Sequence, residues 1–150
     1  MNIVWKVLGF IGMLIVIAIA GGIGKELGRS SVTKLNSDRT EGAIEEALRQ
    51  ASNQVNSGLP MMVDRETRLD STMPGPGKRW TYLYTITSTS SSEVSQQQLQ
   101  NALGSNIKSY VCSNKDMVAF VKNGVQIIYK YRGNDGKIIG DIIVNPQDCT

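Results

Sequence analysis

The chain lacks histidine altogether, and it contains only two cysteines among its 150 residues. Histidine is the commonest general base and a leading metal ligand, so its absence excludes Ser-His and Cys-His catalytic pairs and the usual histidine-containing metal sites. The net charge is only +3, and no run of Lys or Arg is interleaved with aromatic side chains. We therefore expect no nucleic-acid partner, no cofactor and no bound metal.

Charged residues are also missing from residues 7–24, an apolar stretch near the N-terminus. A helix of about 20 apolar residues is long enough to cross a bilayer, and Trp5 would lie at the membrane interface. We predict that residues 1–24 form a transmembrane helix, an uncleaved signal anchor. The alternative is a signal peptide cleaved after Ala20, because the three residues ending there have the small-x-small pattern of a cleavage site.

The orientation of this helix depends on two observations that disagree. Residues 25–34 carry more basic side chains than the segment before the apolar stretch, so the positive-inside rule alone places the C-terminal domain in the cytoplasm. Cys112 and Cys149 favour the opposite side, because an even number of cysteines in an exported domain suggests a disulfide. Cys149 also lies one residue from the chain end, which normally frays unless it is tied down.

We give the cysteines more weight and predict a single-pass protein of the bacterial inner membrane whose C-terminal domain lies in the periplasm. If formed, the disulfide should hold the Cα atoms of Cys112 and Cys149 between about 4.4 and 6.8 Å apart. The alternative is a cytoplasmic domain in which both cysteines are buried, unpaired thiols.

The rest of the chain is long enough for one small domain. Residues 25–37 are predicted to be a juxtamembrane linker, and residues 38–150 to be the periplasmic domain. Apolar residues at helical spacing predict two helices, followed by a short helical turn, over 39–57, 93–111 and 116–122. Alternating or β-branched and aromatic residues predict four strands over 61–71, 80–89, 125–132 and 137–145.

Residues 72–79 contain two prolines and two glycines and are predicted to be a hairpin loop. The order is then α-β-β-α-(α)-β-β. It predicts an α+β fold of two layers, in which an antiparallel four-stranded sheet has its helices on one face.

The densest cluster of ionisable residues lies within the first predicted strand, where Asp64, Glu66, Arg68 and Asp70 would share one face. Charges of mixed sign are typical of the solvent side of a sheet or of a protected edge strand. A small hydrolase that uses Asp64 and Glu66 is a less favoured hypothesis, since it requires both carboxylates to converge on a cleft. We predict that the protein is not an enzyme and has no catalytic residues.

A partner-binding groove is the other candidate site. The seam between the second helix and the short helical turn could expose apolar side chains to an amphipathic helix of another protein. The residues concerned are Leu99, Leu103, Met117, Phe120 and Val121. The alternative is that these five residues only close the core.

The second half of the chain resembles the pilotins of type II secretion that have a disulfide-bonded α/β domain. The resemblance covers about residues 45–149. It rests on the spacing of Tyr110-Val111-Cys112, of the segment 114–120, of Asn123-Gly124-Val125 and of Cys149, with Leu59-Pro60 before the first strand.

The resemblance implies a helix-backed sheet of four or five strands with a Cys112–Cys149 bridge, in the periplasm. Pilotins of this kind bind a terminal helix of the secretin subunit and guide it to the outer membrane. They are lipoproteins, whereas no cysteine follows the apolar stretch of this chain at a lipidation position.

From these observations we predict a non-catalytic, membrane-anchored binding or assembly module that is pilotin-like in fold. The partners would be the membrane, through the single span, and another protein. The alternative function is that of a secreted or periplasmic inhibitor or stability factor, released by cleavage after Ala20.

Overall fold

The computed structural model describes residues 37–149, which form three helices, five strands and a final 3-10 turn. In chain order these elements are α1 (Ser37–Asn56), β1 (Met61–Met62), β2 (Thr67–Gly75), β3 (Arg79–Ile86), α2 (Gln96–Ser113), α3 (Lys115–Lys122), β4 (Gln126–Arg132), β5 (Ile138–Val144) and the 3-10 turn Pro146–Cys149. The predicted transmembrane helix, residues 1–24, and nearly all of the predicted linker, residues 25–37, lie outside the described residues. Among residues 37–149, none of the helices has the length and apolarity that a membrane span requires.

The five strands form one sheet in the order β1-β2-β3-β4-β5. All neighbours are antiparallel except β3 and β4, which are parallel. The α+β class is confirmed, but the prediction of four antiparallel strands is wrong. The parallel pair follows from the connection: α2 and α3 form a crossover between β3 and β4, so both strands run in the same direction.

The fifth strand arises because the predicted strand 61–71 is divided. Met61 and Met62 pair with β2, residues 63–66 turn the chain, and β2 then continues through Pro74 into the segment predicted to be a loop. Pro74 is tolerated in β2 because β1 pairs only with Arg68 and Leu69, so that in the described part of the chain no strand lies beside Pro74 on this side of β2. Proline lacks an N–H, but on an open edge no ladder hydrogen bond is lost.

The core lies between one face of the sheet, here called the inner face, and the helices. α1 packs on β2, and α2 packs on β5. Aromatic rings cover the middle of this face: Tyr82 stacks on Tyr129, and Tyr84 stacks on Tyr131, each pair with ring centroids 5.2 Å apart. The members of each pair are in register on β3 and β4, so the parallel pairing itself brings them together.

The helix boundaries follow from local capping. The hydroxyl of Ser95 accepts a hydrogen bond from the N–H of Gln98, whose side chain accepts one from the N–H of Ser95. This capping box starts α2 at Gln96, three residues later than the predicted helix of residues 93–111. Asn114 ends α2 and caps α3, because its side chain accepts hydrogen bonds from the N–H groups of Asp116 and Met117.

Candidate functional site

The five residues of the predicted groove lie in the core. Leu99, Leu103, Met117 and Phe120 are at most 1% exposed, and Val121 is 8% exposed. The ring of Phe120 packs edge-on against Trp80 of the sheet, with centroids 5.7 Å apart. These side chains therefore form no open groove at the seam between α2 and α3, because they pack between the two helices and the inner face of the sheet.

The two cysteines lie together at one end of α2. The Cα atoms of Cys112 and Cys149 are 5.0 Å apart, within the range of a disulfide, and their Sγ atoms are at bonding distance. Asp148 ties the same tail to the domain, because its carboxylate accepts hydrogen bonds from the N–H of Asn145 and from Nζ of Lys108. These two donors hold the pKa of the Asp148 carboxyl below its usual value.

Asp64 and Glu66 do not lie on a strand. They belong to the connection between β1 and β2, where Oδ1 of Asp64 accepts hydrogen bonds from the N–H groups of Glu66 and Thr67. Oδ2 of Asp64 and Oε2 of Glu66 are shielded from solvent and accept no hydrogen bond from the residues that the structure describes. The predicted strand face shared by Asp64, Glu66, Arg68 and Asp70 is therefore wrong, because only the last two belong to β2.

The face of the sheet opposite the helices, here called the outer face, carries a row of three large apolar residues and one threonine, here called the apolar row. Met73, Thr81, Ile128 and Ile143 are neighbours across β2, β3, β4 and β5. With strands about 4.8 Å apart, the row is roughly 14 Å long. Met73 is 43% exposed and Ile143 is 46% exposed. No helix of the described chain is packed on this row, so the fold leaves it available for contact.

A second row of the outer face, next to the first, is partly charged. It contains Ser71, Leu83, Lys130 and Asp141, in register across the same four strands. Nζ of Lys130 lies 3.2 Å from a carboxylate oxygen of Asp141. Leu83 is half-buried and continues the apolar surface toward this pair.

The third row is a network of charged side chains centred on Asp70. Its carboxylate accepts hydrogen bonds from Nε of Arg68 at 2.6 Å, from Nη2 of Arg132 at 3.0 Å and from the hydroxyl of Thr85. Burial alone would raise the pKa of Asp70, but the hydrogen bonds from Thr85 and Arg68 and the positive charges of both arginines outweigh it, so the pKa is lowered. The carboxylate is therefore held in its charged form at neutral pH.

A β-bulge gives Asp70 this position. Leu69 is opposite Tyr84 and Ser71 is opposite Leu83, so Asp70 is an extra residue in β2 with no partner of its own in β3. A bulge bends the strand and redirects the side chain of the extra residue. The carboxylate consequently reaches Thr85 of β3 and Arg132 of β4 at the same time.

The outer face suits recognition better than catalysis. It combines exposed aliphatic side chains with arginine, lysine and carboxylate groups that are already paired with one another. In the part of the chain that the structure describes, no group of three or more Asp, Glu or Cys side chains is arranged to hold a metal ion. The candidate site is therefore the apolar row together with its charged neighbours.

This surface is not evident from the sequence. Met73 lies in the segment that was predicted to be a loop. Along β4 and β5, the outward-facing neighbours of Ile128 and Ile143 are charged or polar, so these strands show no continuous apolar pattern on that face. The signal that could have indicated the surface was the presence of large aliphatic residues on both parities of β4 and β5. In β4 one parity fills the core and the other is half-buried, whereas in β5 Ile142 and Val144 fill the core and Ile143 between them is exposed.

Comparison with known proteins links this fold to two groups. A family model described as a domain of unknown function, DUF8479, matches residues 42–140. No curated protein matches the sequence. Among solved structures, PA3611 of Pseudomonas aeruginosa, which has been assigned as a secreted protein, superposes with a TM-score of 0.62 at 10% identity, covering 78% of this chain and 100% of its own.

Two pilotins of type II secretion are also similar in structure. EpsS of Vibrio vulnificus has a TM-score of 0.60 at 16% identity and covers 76% of this chain and 98% of its own. AspS of Vibrio cholerae has a TM-score of 0.55 at 17% identity, and the match covers 75% of this chain and 97% of AspS. The predicted resemblance to pilotins is confirmed. At these identities it is a resemblance of fold.

Proposed function

We propose that this chain, which belongs to the family of domains of unknown function DUF8479 with a model match over residues 42–140, is a non-catalytic binding module anchored in the bacterial inner membrane. The apolar stretch of residues 7–24 supports the anchor. The cysteine pair at bonding distance supports a periplasmic domain, because disulfides persist in oxidising compartments. The likeness to EpsS and AspS supports a role in binding another protein during assembly.

The outer face of the sheet is the proposed partner site, and the apolar row is the observation that carries the proposal. An amphipathic helix places its anchors at i, i+3 or i+4, and i+7, over about 10 Å. The row formed by Met73, Thr81, Ile128 and Ile143 is roughly 14 Å long and can accept such a helix across the strands. The paired charges around Asp70 and Lys130 would then face the polar flank of the helix.

The role proposed here differs from that of a pilotin in one respect. A lipoprotein pilotin can travel with its partner, whereas a protein held by a transmembrane helix stays in the membrane that holds it. We therefore place the partner, or the segment of it that is bound, next to the periplasmic side of the inner membrane.

Site-specific crosslinking in cells tests the binding surface. A photoreactive amino acid at position 128 or 143 should give one adduct, to be identified by mass spectrometry, whereas position 105 on the exposed side of α2 should give none. The identified segment should then bind the purified protein, and Ile143→Asp should weaken binding at least tenfold while Ser105→Asp has no effect. Equal adducts at all positions, or unchanged affinity of the folded Ile143→Asp variant, would contradict the proposal.

A second candidate function has its own support. PA3611 has the same fold and is assigned as secreted, so the domain could act after release by cleavage at Ala20. N-terminal sequencing of the mature protein distinguishes the two cases. A chain that begins at Gly21 establishes release, and a chain that retains residues 1–20 and stays in the membrane fraction establishes the anchor.

A further inference from the structure

At both edges of the described sheet, backbone hydrogen-bonding groups lack a strand partner. Within residues 37–149, β5 has no strand neighbour on the side away from β4, and β2 has none beyond the short β1. An unpaired edge is a template on which a second chain can add a strand. The strands at both edges carry large, exposed apolar side chains. Met73 on β2 is 43% exposed, and Ile138 and Ile143 on β5 are 52% and 46% exposed.

The β5 edge is closed by a side-chain amide. Nε2 of Gln96 donates to the carbonyl of Asp141 at 2.7 Å, and the N–H of Asp141 donates to Oε1 of Gln96 at 2.8 Å. This carboxamide makes the same two hydrogen bonds as a residue of an added antiparallel strand would make. Gln96 is the first residue of α2, so the helix that covers the inner face also supplies the group that covers the edge.

Gly140 provides the space for this contact. A Cβ atom at position 140 would lie 1.6 Å from Oε1 and 2.6 Å from Cδ of Gln96. Any other residue at position 140 would push the carboxamide of Gln96 away from Asp141.

The β2 edge is closed in the same way by α1. Nδ2 of Asn56 donates to the carbonyl of Thr72 at 2.9 Å, and the N–H of Thr72 donates to Oδ1 of Asn56 at 2.7 Å. Ser52 adds a hydrogen bond from its hydroxyl to the same carbonyl. A carboxamide from a helix thus pairs with both backbone groups of one residue at each edge.

We infer that Gln96 and Asn56 act as edge clasps, which keep the sheet of this chain from pairing edge to edge with a second copy of itself. The β5 edge is more open to this pairing than the β2 edge, because the exposed side chains of Ile138 and Ile143 lie on either side of Asp141, the residue that Gln96 binds. Two β5 strands can pair about a two-fold axis, each presenting the same backbone groups to the other. The clasp occupies the central pair of those groups.

Two variants open the β5 clasp from opposite sides. Gln96→Ala removes the carboxamide, and Gly140→Ala displaces it without changing Gln96. Gln97→Ala is the matched control, because the side chain of Gln97 donates a hydrogen bond to Asn101 on the same exposed helix surface and not to the sheet edge. The full-length protein would be kept in a mild non-ionic detergent, and its protein mass followed against concentration by light scattering, with circular dichroism as the check on folding.

Both clasp variants should associate into dimers at least tenfold more strongly than the wild type and Gln97→Ala. The double variant should dimerise no more strongly than either single variant, because both substitutions remove the same contact between Gln96 and Asp141. Folded Gln96→Ala and Gly140→Ala proteins that remain as monomeric as the control would overturn the inference.

A second-site variant separates edge pairing from association of unfolded chains. Ile143→Lys places a charge on the outer side of β5, and charged residues protect edge strands. Combined with Gln96→Ala, it should restore the monomer. If the dimer persists, association does not use the β5 edge and the inference fails.

Discussion

Arg132 and Asp70 are joined across the width of three strands: Nη2 of Arg132 in β4 lies 3.0 Å from Oδ2 of Asp70 in β2, with β3 between them. Thr85 of β3 completes the link, because its hydroxyl donates to Asp70 and accepts from Nε of Arg132 at 2.7 Å. The side chain of Asp70 is 9% exposed, so this charge is largely withdrawn from water and depends on these donors.

We expect Asp70→Asn to lower the free energy of unfolding at pH 7 by about 1.5–3 kcal/mol, the usual range for hydrogen bonds to a charged group. The pKa of Asp70 is lowered in the folded protein, so the stability it adds is complete above the unfolded value of 3.8 and is lost as pH falls through the folded pKa. The difference between wild type and variant in urea titrations should therefore shrink below about pH 4. A difference that is the same at pH 7 and pH 3 would show that Asp70 does not stabilise through its charge.

Phe120→Ala should destabilise the domain by about 3–5 kcal/mol, because it removes a fully buried ring that packs on Trp80. Ile128→Ala on the outer face is the comparison, and it should cost much less because its side chain is only half-buried. Thermal and urea denaturation measure both. A Phe120→Ala protein of wild-type stability that loses its partner would restore the groove between α2 and α3 as the binding site.

Removal of the cysteine pair by Cys112→Ser and Cys149→Ser should cost about 3–4 kcal/mol in the chain-entropy model, which treats the bond as a constraint on the unfolded chain. Before that measurement, alkylation of the native protein should modify neither residue until a reductant is added. Immediate labelling of both thiols would contradict the periplasmic assignment and favour the orientation that the positive-inside rule indicates.

Ser95→Ala should cost about 1 kcal/mol, because Ser95 caps α2 through a capping box with Gln98. Ser92→Ala is the control, since Ser92 lies before the cap and its hydroxyl forms a hydrogen bond with that of Ser90 and takes no part in the capping box. Urea denaturation of the two variants compares them directly. Equal losses of stability in the two variants would mean that the capping box does not stabilise α2.

Part of the fold was predictable from local pattern. Leu99, Leu103, Ile107 and Val111 repeat every four residues and lie on the buried side of α2. Trp80, Tyr82, Tyr84 and Ile86 alternate and fill the inner face of β3. Such patterns depend only on helix and strand periods, so they can be read without knowing which elements are neighbours.

The candidate site could not be read in this way. The apolar row joins residues of four strands that are up to 70 positions apart in the chain, Met73 and Ile143 at its ends. Which residues become neighbours depends on the register of each pair, and the parallel pairing of β3 with β4 was not predicted. The groove between α2 and α3 stays a prediction, and the burial of Phe120 could not be read from the sequence because it depends on how α3 packs on the sheet.

By itself, the sequence determined the apolar N-terminal stretch, the absence of histidine chemistry, the positions of two helices and most strands, and the pair of cysteines. These properties depend on composition and on short-range spacing. Only the tertiary structure decided the strand order, the bulge that aims Asp70 at Arg132, and the contact of Gln96 with Asp141 over Gly140. Each of these joins residues distant in sequence, and their contacts form only when the whole sheet and its helices are packed together.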